Sequence, residues 1–275
     1  MGHVRWDARK SLWNSTFLLV ALLTGPATFS PSAFGVFVVT TTLTLCLGHS
    51  VGAHRLLIHR SFKAPLWLEH LLVTMGVSVG LGGPLGLMRL HNTRDALQNE
   101  PRCDWFFRSH PSVLRDWCNA MHGRFVFTSP FEPRMDPRVV GDRYYQGLER
   151  FWRLSVLAWA LPLYWLGGAP FVVWGLFVRV FVSVTGHWFV GWVTHSTEER
   201  PDLGRWTHWR NEGSAVQGIN SALFGTLAMG EGWHNNHHAF PASARHGLQW
   251  WQFDISWIAI RTLGYVGLVR KIRLP

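Results

Sequence analysis

The side chains with the clearest capacity for chemistry are histidines, fifteen of them, and the informative ones gather at four places. The first place reads His54-Arg-Leu-Leu-Ile-His59-Arg60, and the second His91-Asn-Thr-Arg94-Asp95. His195 stands alone, and the last place reads Glu231-Gly-Trp-His234-Asn-Asn-His237-His238-Ala-Phe-Pro241. A neutral imidazole offers a lone pair to iron, zinc or copper. An isolated histidine near a membrane boundary is ordinarily a polar residue meeting water or headgroups. The triple His234, His237 and His238, at i, i+3 and i+4, instead puts three rings on one helix face. With no cysteine nearby, it favours a borderline transition metal over calcium or magnesium. His54 and His59 are five residues apart, about 140° on a regular helix. They serve one metal where the helix frays, or two neighbouring metals.

The elements that must position these groups are apolar. Hydrophobic residues make up 48% of the chain, with 17 Trp and 18 Phe, and charged residues only 15%. That balance suits a helical membrane protein better than a soluble enzyme. Four runs reach or approach the roughly 20 apolar residues of a spanning helix: about 12–29, 33–53, 151–166 and 170–194. Gly25-Pro26 to Ser30-Pro31-Ser32 closes the first pair into a hairpin, and Gly167-Gly168-Ala169-Pro170 closes the second. The expected fold is all-α and integral to the membrane. It is one domain over 1–275, with four transmembrane helices under a helical cap built from about 54–150 and 195–275. The stretch 66–88 is apolar but broken by glycines, and reads as a helix packed at the interface or partly re-entrant. Residues 96–150 read as cytoplasmic, 198–213 as a loop, and 221–229 as a short apolar stretch leading into the last histidine cluster.

The net charge of +10 follows position, not a soluble basic face. Arg5, Arg9 and Lys10 precede the first run, Arg55, Arg60 and Lys63 follow the second, and the two hairpin turns carry no Lys or Arg. This is the positive-inside pattern, and it argues against a nucleic-acid partner. It places both termini and the histidines on the cytoplasmic side of a bacterial inner membrane or endoplasmic reticulum. Cys46, Cys103 and Cys118 suggest neither a disulfide framework nor a thiolate site. The first run reads as a retained helix. Trp192, Trp206, Trp209, Trp250 and Trp251 suit an interfacial belt. Arg179, deep in the fourth run, is expected to snorkel or to hydrogen-bond a neighbour.

Residues 48–60, the His91 segment and residues 230–241 resemble the histidine boxes of membrane fatty-acid desaturases, closest to the acyl-CoA (stearoyl-type) branch. The resemblance covers roughly residues 43–241. It implies four spanning helices under a cytoplasmic cap with two irons, and an acyl chain threaded beneath them. It also implies molecular oxygen and electrons from a separate donor protein. The metal ligands it carries over are His54, His59, His91, His195, His234, His237 and His238, with Asp95 as an eighth. Glu231 and Asn235 are expected to orient imidazoles from behind. An unactivated C–H bond gives acid–base chemistry no purchase, so a redox metal has to carry the hard step.

The middle box departs from the family pattern His-x-x-His-His. Arg94 has no lone pair to give and cannot ligate, whereas the Asp95 carboxylate can. Gly191 stands where stearoyl-type enzymes have an asparagine near the metal. His49 and His187 are candidates to compensate, and His110 and His122 weaker ones. Alternatively, Arg94 pairs with Asp95 and fills the second site, leaving one metal or none. Two irons per chain are expected. The leading reading is an oxygen-dependent acyl desaturase, with a hydroxylase of the same architecture or a non-catalytic lipid-binding relative as alternatives. A transporter fits less well, because the histidines gather at one membrane face. The acyl carrier is left open among CoA, a carrier protein and a phospholipid. Arg60, Lys63 and Arg143 suit either a carrier's phosphates or anionic headgroups, and the basic face suits an acidic electron donor.

Overall fold

The computed structural model of the chain describes residues 1–195 and 205–275. Strand β1 (Gly2–Trp6) leads into helix α1 (Ala8–Thr24), which Asp7 caps by accepting from the Lys10 amide at 3.0 Å. Helix α2 (Pro31–Ile58) is capped the same way by Ser30, with Pro31 at its first position. From Leu43 to Ile58 its winding widens into π turns. Helix α3 (Leu66–Val77) packs on this segment at very short range: a Cβ on Gly76 would lie 2.7 Å from the Gly48 carbonyl oxygen. Small residues let the two backbones meet, as in membrane helix pairs. Gly80 and Gly82, with φ of +95° and +156°, turn the chain into α4 (Pro84–Gln98). The apolar stretch 66–88 is therefore a helix, a glycine turn and the start of another helix.

Helix α5 (Val113–His122) precedes β2 (Gly123–Phe127), which pairs antiparallel with β1, Gly2 opposite Phe127. The short α6 (Pro137–Gly141) and α7 (Arg143–Leu157) follow, then α8 (Ala160–Val172) and α9 (Arg179–Thr194), joined by a π-wound turn. Inside α8 the backbone breaks at Gly167 and Gly168, where the sequence predicts a hairpin turn. The remainder comprises β3 (Arg205–Trp206) paired with β4 (Asn220–Ser221), then α10 (Ala222–Leu227), α11 (His234–Ala239) and α12 (Ile255–Tyr265). Of the predicted loop 198–213, positions 198–204 lie outside the described residues, and the remainder includes β3.

Two helical stretches are long and apolar enough to cross a membrane, Pro31–Ile58 and Arg143–Thr194. The predicted runs 33–53, 151–166 and 170–194 fall inside them. The predicted run 12–29 corresponds to α1, which at 17 residues is shorter than a full span. Val51, Leu56, Leu72 and Ile260 form one buried core between α2, α3 and α12. Phe17, Met121, Leu163 and Val180 form another between α1, α5, α8 and α9. Arg179 lies wholly buried in the second region. It donates to the Gly175 carbonyl at 2.7 Å and to the Ser78 carbonyl at 2.6 Å, the hydrogen-bonding role expected of it.

Candidate metal centre

The histidines form two clusters. In the first, His54, His59, His91 and His237 converge. The His54 Nε2 atom lies 3.1 Å from His59 Nε2 and 3.1 Å from His91 Nε2. The π winding makes this possible: the His59 amide donates to the His54 carbonyl at 3.0 Å, an i→i+5 bond that stacks the two residues. The helix is rewound at this point, not frayed, which resolves the 140° problem. Behind the rings stand carboxylates. Glu231 Oε2 is 2.6 Å from His54 Nδ1, and Asp95 Oδ2 is 3.2 Å from His91 Nδ1. A carboxylate there keeps the proton on Nδ1, so the Nε2 lone pairs face one another. Three lone pairs at that distance repel unless a cation sits among them, and the donor set fits a transition metal.

In the second cluster His195, His234 and His238 converge. His234 Nε2 lies 2.9 Å from His195 Nε2 and 3.0 Å from His238 Nε2. His195 Nδ1 donates to the Gly191 carbonyl at 2.8 Å, so its Nε2 also presents a lone pair. Burial holds His59, His195, His234 and His237 well below the usual imidazole range and His238 at about 4, so these rings are neutral donors at pH 7. The triple of the last box does not share one centre. At 100° per residue His237 and His238 point 100° apart on α11, and they serve different clusters.

Other predicted residues fall elsewhere. Asp95 stands behind His91, one helical turn away, and not in the ring of convergent nitrogens. Among the described residues Asn235 hydrogen-bonds no imidazole ring. Its carbonyl accepts from the His208 and Trp209 amides at 2.8 Å, and its amide donates to the Trp209 and Gly218 carbonyls. It anchors α11 as a whole, as does Asn236, which donates to the His246 carbonyl and to Gln252. His49 and His187 face each other, ring centroids 4.7 Å apart, outside both clusters. His122 bonds Ser11 at 2.8 Å and stacks on Trp6, and His110 accepts from the Ser112 amide. Arg60 is committed to Glu69 and Asp136, both at 3.1 Å, which makes it a poor phosphate ligand.

One residue escapes the sequence reading. His246 is buried, its Nδ1 3.8 Å from Glu231, and with His54 and Glu231 it forms a third group of potential ligands. Burial first, then the Arg55 charge, lowers its pKa to about 3. Its only signal is position, eight residues beyond His238 and past the Pro241 turn. Glu231 is pushed up by burial, yet His54, His246 and Arg55 outweigh this and hold it well below the usual carboxylate range. Arg55 ties the arrangement to the far end of the chain. It donates to both oxygens of Asp254, at 3.0 and 3.1 Å, and to the Ala244 carbonyl at 2.8 Å. Ser50 on the same helix donates to Glu231.

The sequence profile for fatty acid desaturases matches residues 29–263. The chain belongs to the fatty acid desaturase family. It is 34% identical to an sn-1 stearoyl-lipid 9-desaturase of Anabaena variabilis, over 95% of this chain and 94% of that protein. The corresponding enzyme of Synechocystis is 37% identical over 94% of this chain and 77% of its own length. An acyl-CoA C20 Delta5-desaturase of Anemone leveillei is 34% identical over 96% of this chain and 84% of its own length.

Membership gives the two departures from the family pattern a common meaning, because they are neighbours in space. A Cβ added at Gly191 would lie 3.4 Å from Arg94 Nη1, so any longer side chain there meets the guanidinium. The second cluster, His54, His91 and His237 of the first, Arg94 and the His49–His187 pair line one cavity of about 110 Å³. Arg94, Leu87, Leu90 and His187 also line a larger groove of about 680 Å³, which runs past Trp152 and Trp188.

Proposed function

We propose that this chain is a membrane-bound, iron-dependent enzyme that uses molecular oxygen to insert a double bond into a fatty-acyl chain. The observation that supports it most is the pair of lone-pair-lined histidine clusters on one cavity, continuous with a larger groove of mixed polar and apolar lining, in a chain of the desaturase family. The cluster residues would hold up to two irons, with His54, His59, His91 and His237 around one, and His195, His234 and His238 around the other. Iron supplies the redox step that an unactivated methylene requires. The chain's own part is placement. Glu231 and Asp95 hold imidazole protons at Nδ1, Arg55 and Asp254 fix Glu231, and the groove walls align the acyl chain and keep water out.

The finer topology belongs to the same proposal: one domain, four crossings in two hairpins, and the histidines and both termini on the cytoplasmic side. The acyl group arrives linked to CoA, a carrier protein or a phospholipid, and a separate acidic donor protein delivers electrons to the basic face. The test is expression in a host whose lipids lack double bonds, followed by mass spectrometry of total acyl chains. New monounsaturated chains that vanish in His54→Ala support the reading. Hydroxylated chains alone, or unchanged lipids from iron-replete cells, overturn it.

A further inference from the structure

The two clusters share a cavity but not an electrostatic environment. The His54 cluster has four imidazoles, and each of the Glu231 and Asp95 carboxylates lies within 3.2 Å of one of its Nδ1 atoms. The His195 cluster has three imidazoles, and the group that His195 Nδ1 meets is a neutral carbonyl, that of Gly191. Its other close neighbour is Arg94, whose guanidinium stands against Gly191 in the same cavity wall. Among the described residues Arg94 forms no ion pair. Asp116, the carboxylate with the largest pull on it, is already engaged by the His110 amide and the Trp188 indole, both at 2.7 Å. A guanidinium cannot shed its proton, so this cation is permanent. Asp95 attracts His238 as well as His59, but its contact is with His91.

We infer that the two centres hold metal unequally, and that Arg94, seated in the space Gly191 leaves, is the residue that sets the His195 centre to low affinity. The inference rests on the iron reading above. A dication entering the His54 centre meets two carboxylates in contact with its ligands; one entering the His195 centre meets the Arg94 guanidinium, on which Asp116 and Asp95 act without forming an ion pair among the described residues. Outer groups of this kind move metal affinity by about 10- to 100-fold. The His54 centre is then permanently loaded, while the second fills and empties with the iron supply.

The test uses the full chain, purified in mild detergent without a histidine tag, loaded anaerobically with ferrous iron and titrated with the chromogenic chelator ferrozine. The expected release has two steps of one iron each, separated by about tenfold or more in chelator concentration. His59→Ala removes the resistant step, and His234→Ala the labile one. Arg94→Gln moves the labile step toward the resistant one, and Arg94→Lys, which keeps the charge, leaves it labile. Release of both irons together from the unaltered chain overturns the inference while leaving the iron reading intact, and it requires no variant to fold. A labile step that Arg94→Gln does not move overturns the role of Arg94. A chain that takes up no iron overturns this inference and the iron reading together.

Discussion

The His54 and His195 clusters are built from the same side chain at nearly the same spacing, yet the protein supports them differently. Around His54 the support is ionic and long-range: Glu231, Asp95, Arg55 and Asp254 come from α2, α4, the last box and the segment just before α12. Around His195 it is neutral and local, a backbone carbonyl one helical turn away and a short helix pinned by Asn235 and Asn236. The difference teaches that ligand count alone does not describe a metal centre. What stands behind the rings decides how their protons are placed and what charge the metal meets.

Four substitutions would break or sharpen this contrast. The largest effect is expected from His237→Ala, which takes a donor from the four-histidine cluster. New unsaturated product should disappear, and the chelator-resistant iron with it, while the His195 step persists. Asp254→Asn comes next. It leaves Arg55 buried with Glu231, at 3.4 Å, as its one remaining carboxylate among the described residues, and breaking such a pair costs about 3 to 5 kcal/mol. A lowered melting temperature of the detergent-solubilised protein would show it. Burial raises the Asp254 carboxyl, but Arg55 and His246 outweigh burial and hold its pKa below the ordinary value. Its contribution is therefore complete above the unfolded value of about 3.9 and fades as pH falls through the lower folded value. The melting difference between wild type and Asp254→Asn should close in acid.

Glu231→Gln should be milder, weakening the resistant iron by about 10- to 100-fold in the ferrozine titration and leaving the labile step in place. A labile step that shifts equally would mean the two clusters are one coupled unit. The smallest effect is expected from His246→Gln, whose 3.8 Å approach to Glu231 is longer than a hydrogen bond. A change of about 1 kcal/mol or less in iron binding is the expected scale.

Much of this was legible in the sequence, and the limits have physical causes. The four histidine places, the apolar runs and the glycine breaks are local patterns, and each marks a real element: the glycines of 80–86 turn α3 into α4, and Gly167 and Gly168 break α8. The division of labour inside the last box was not legible. Spacing puts His234, His237 and His238 on one broad face, but two clusters flank that face and divide it. The π winding of α2 was hidden too, because an i→i+5 turn leaves no mark in composition; only the gap of five between His54 and His59 hints at it. His246 and Asp254 act across about 190 and 200 residues from α2, and no local pattern encodes such distances. Arg94 and Gly191 could each be flagged as departures, but that they are neighbours in space is a fact of the fold.

The bond between Arg55 and the last box has a consequence for the order of synthesis. Arg55 leaves the ribosome 176 residues before Glu231 and 199 before Asp254. At typical elongation rates that is roughly 9 to 40 s during which the growing chain carries a cation at the end of an apolar helix without one or both of its eventual carboxylates. Until residue 237 is made, His54 and His59 also lack His237. The nascent protein must therefore keep this helix end in water or against headgroups, and draw it into the interior only when the C-terminal fifth arrives. Closure of the His54 centre therefore waits on residues 231–237, so a chain stalled before them would carry an exposed, metal-accessible histidine pair and no sealed site.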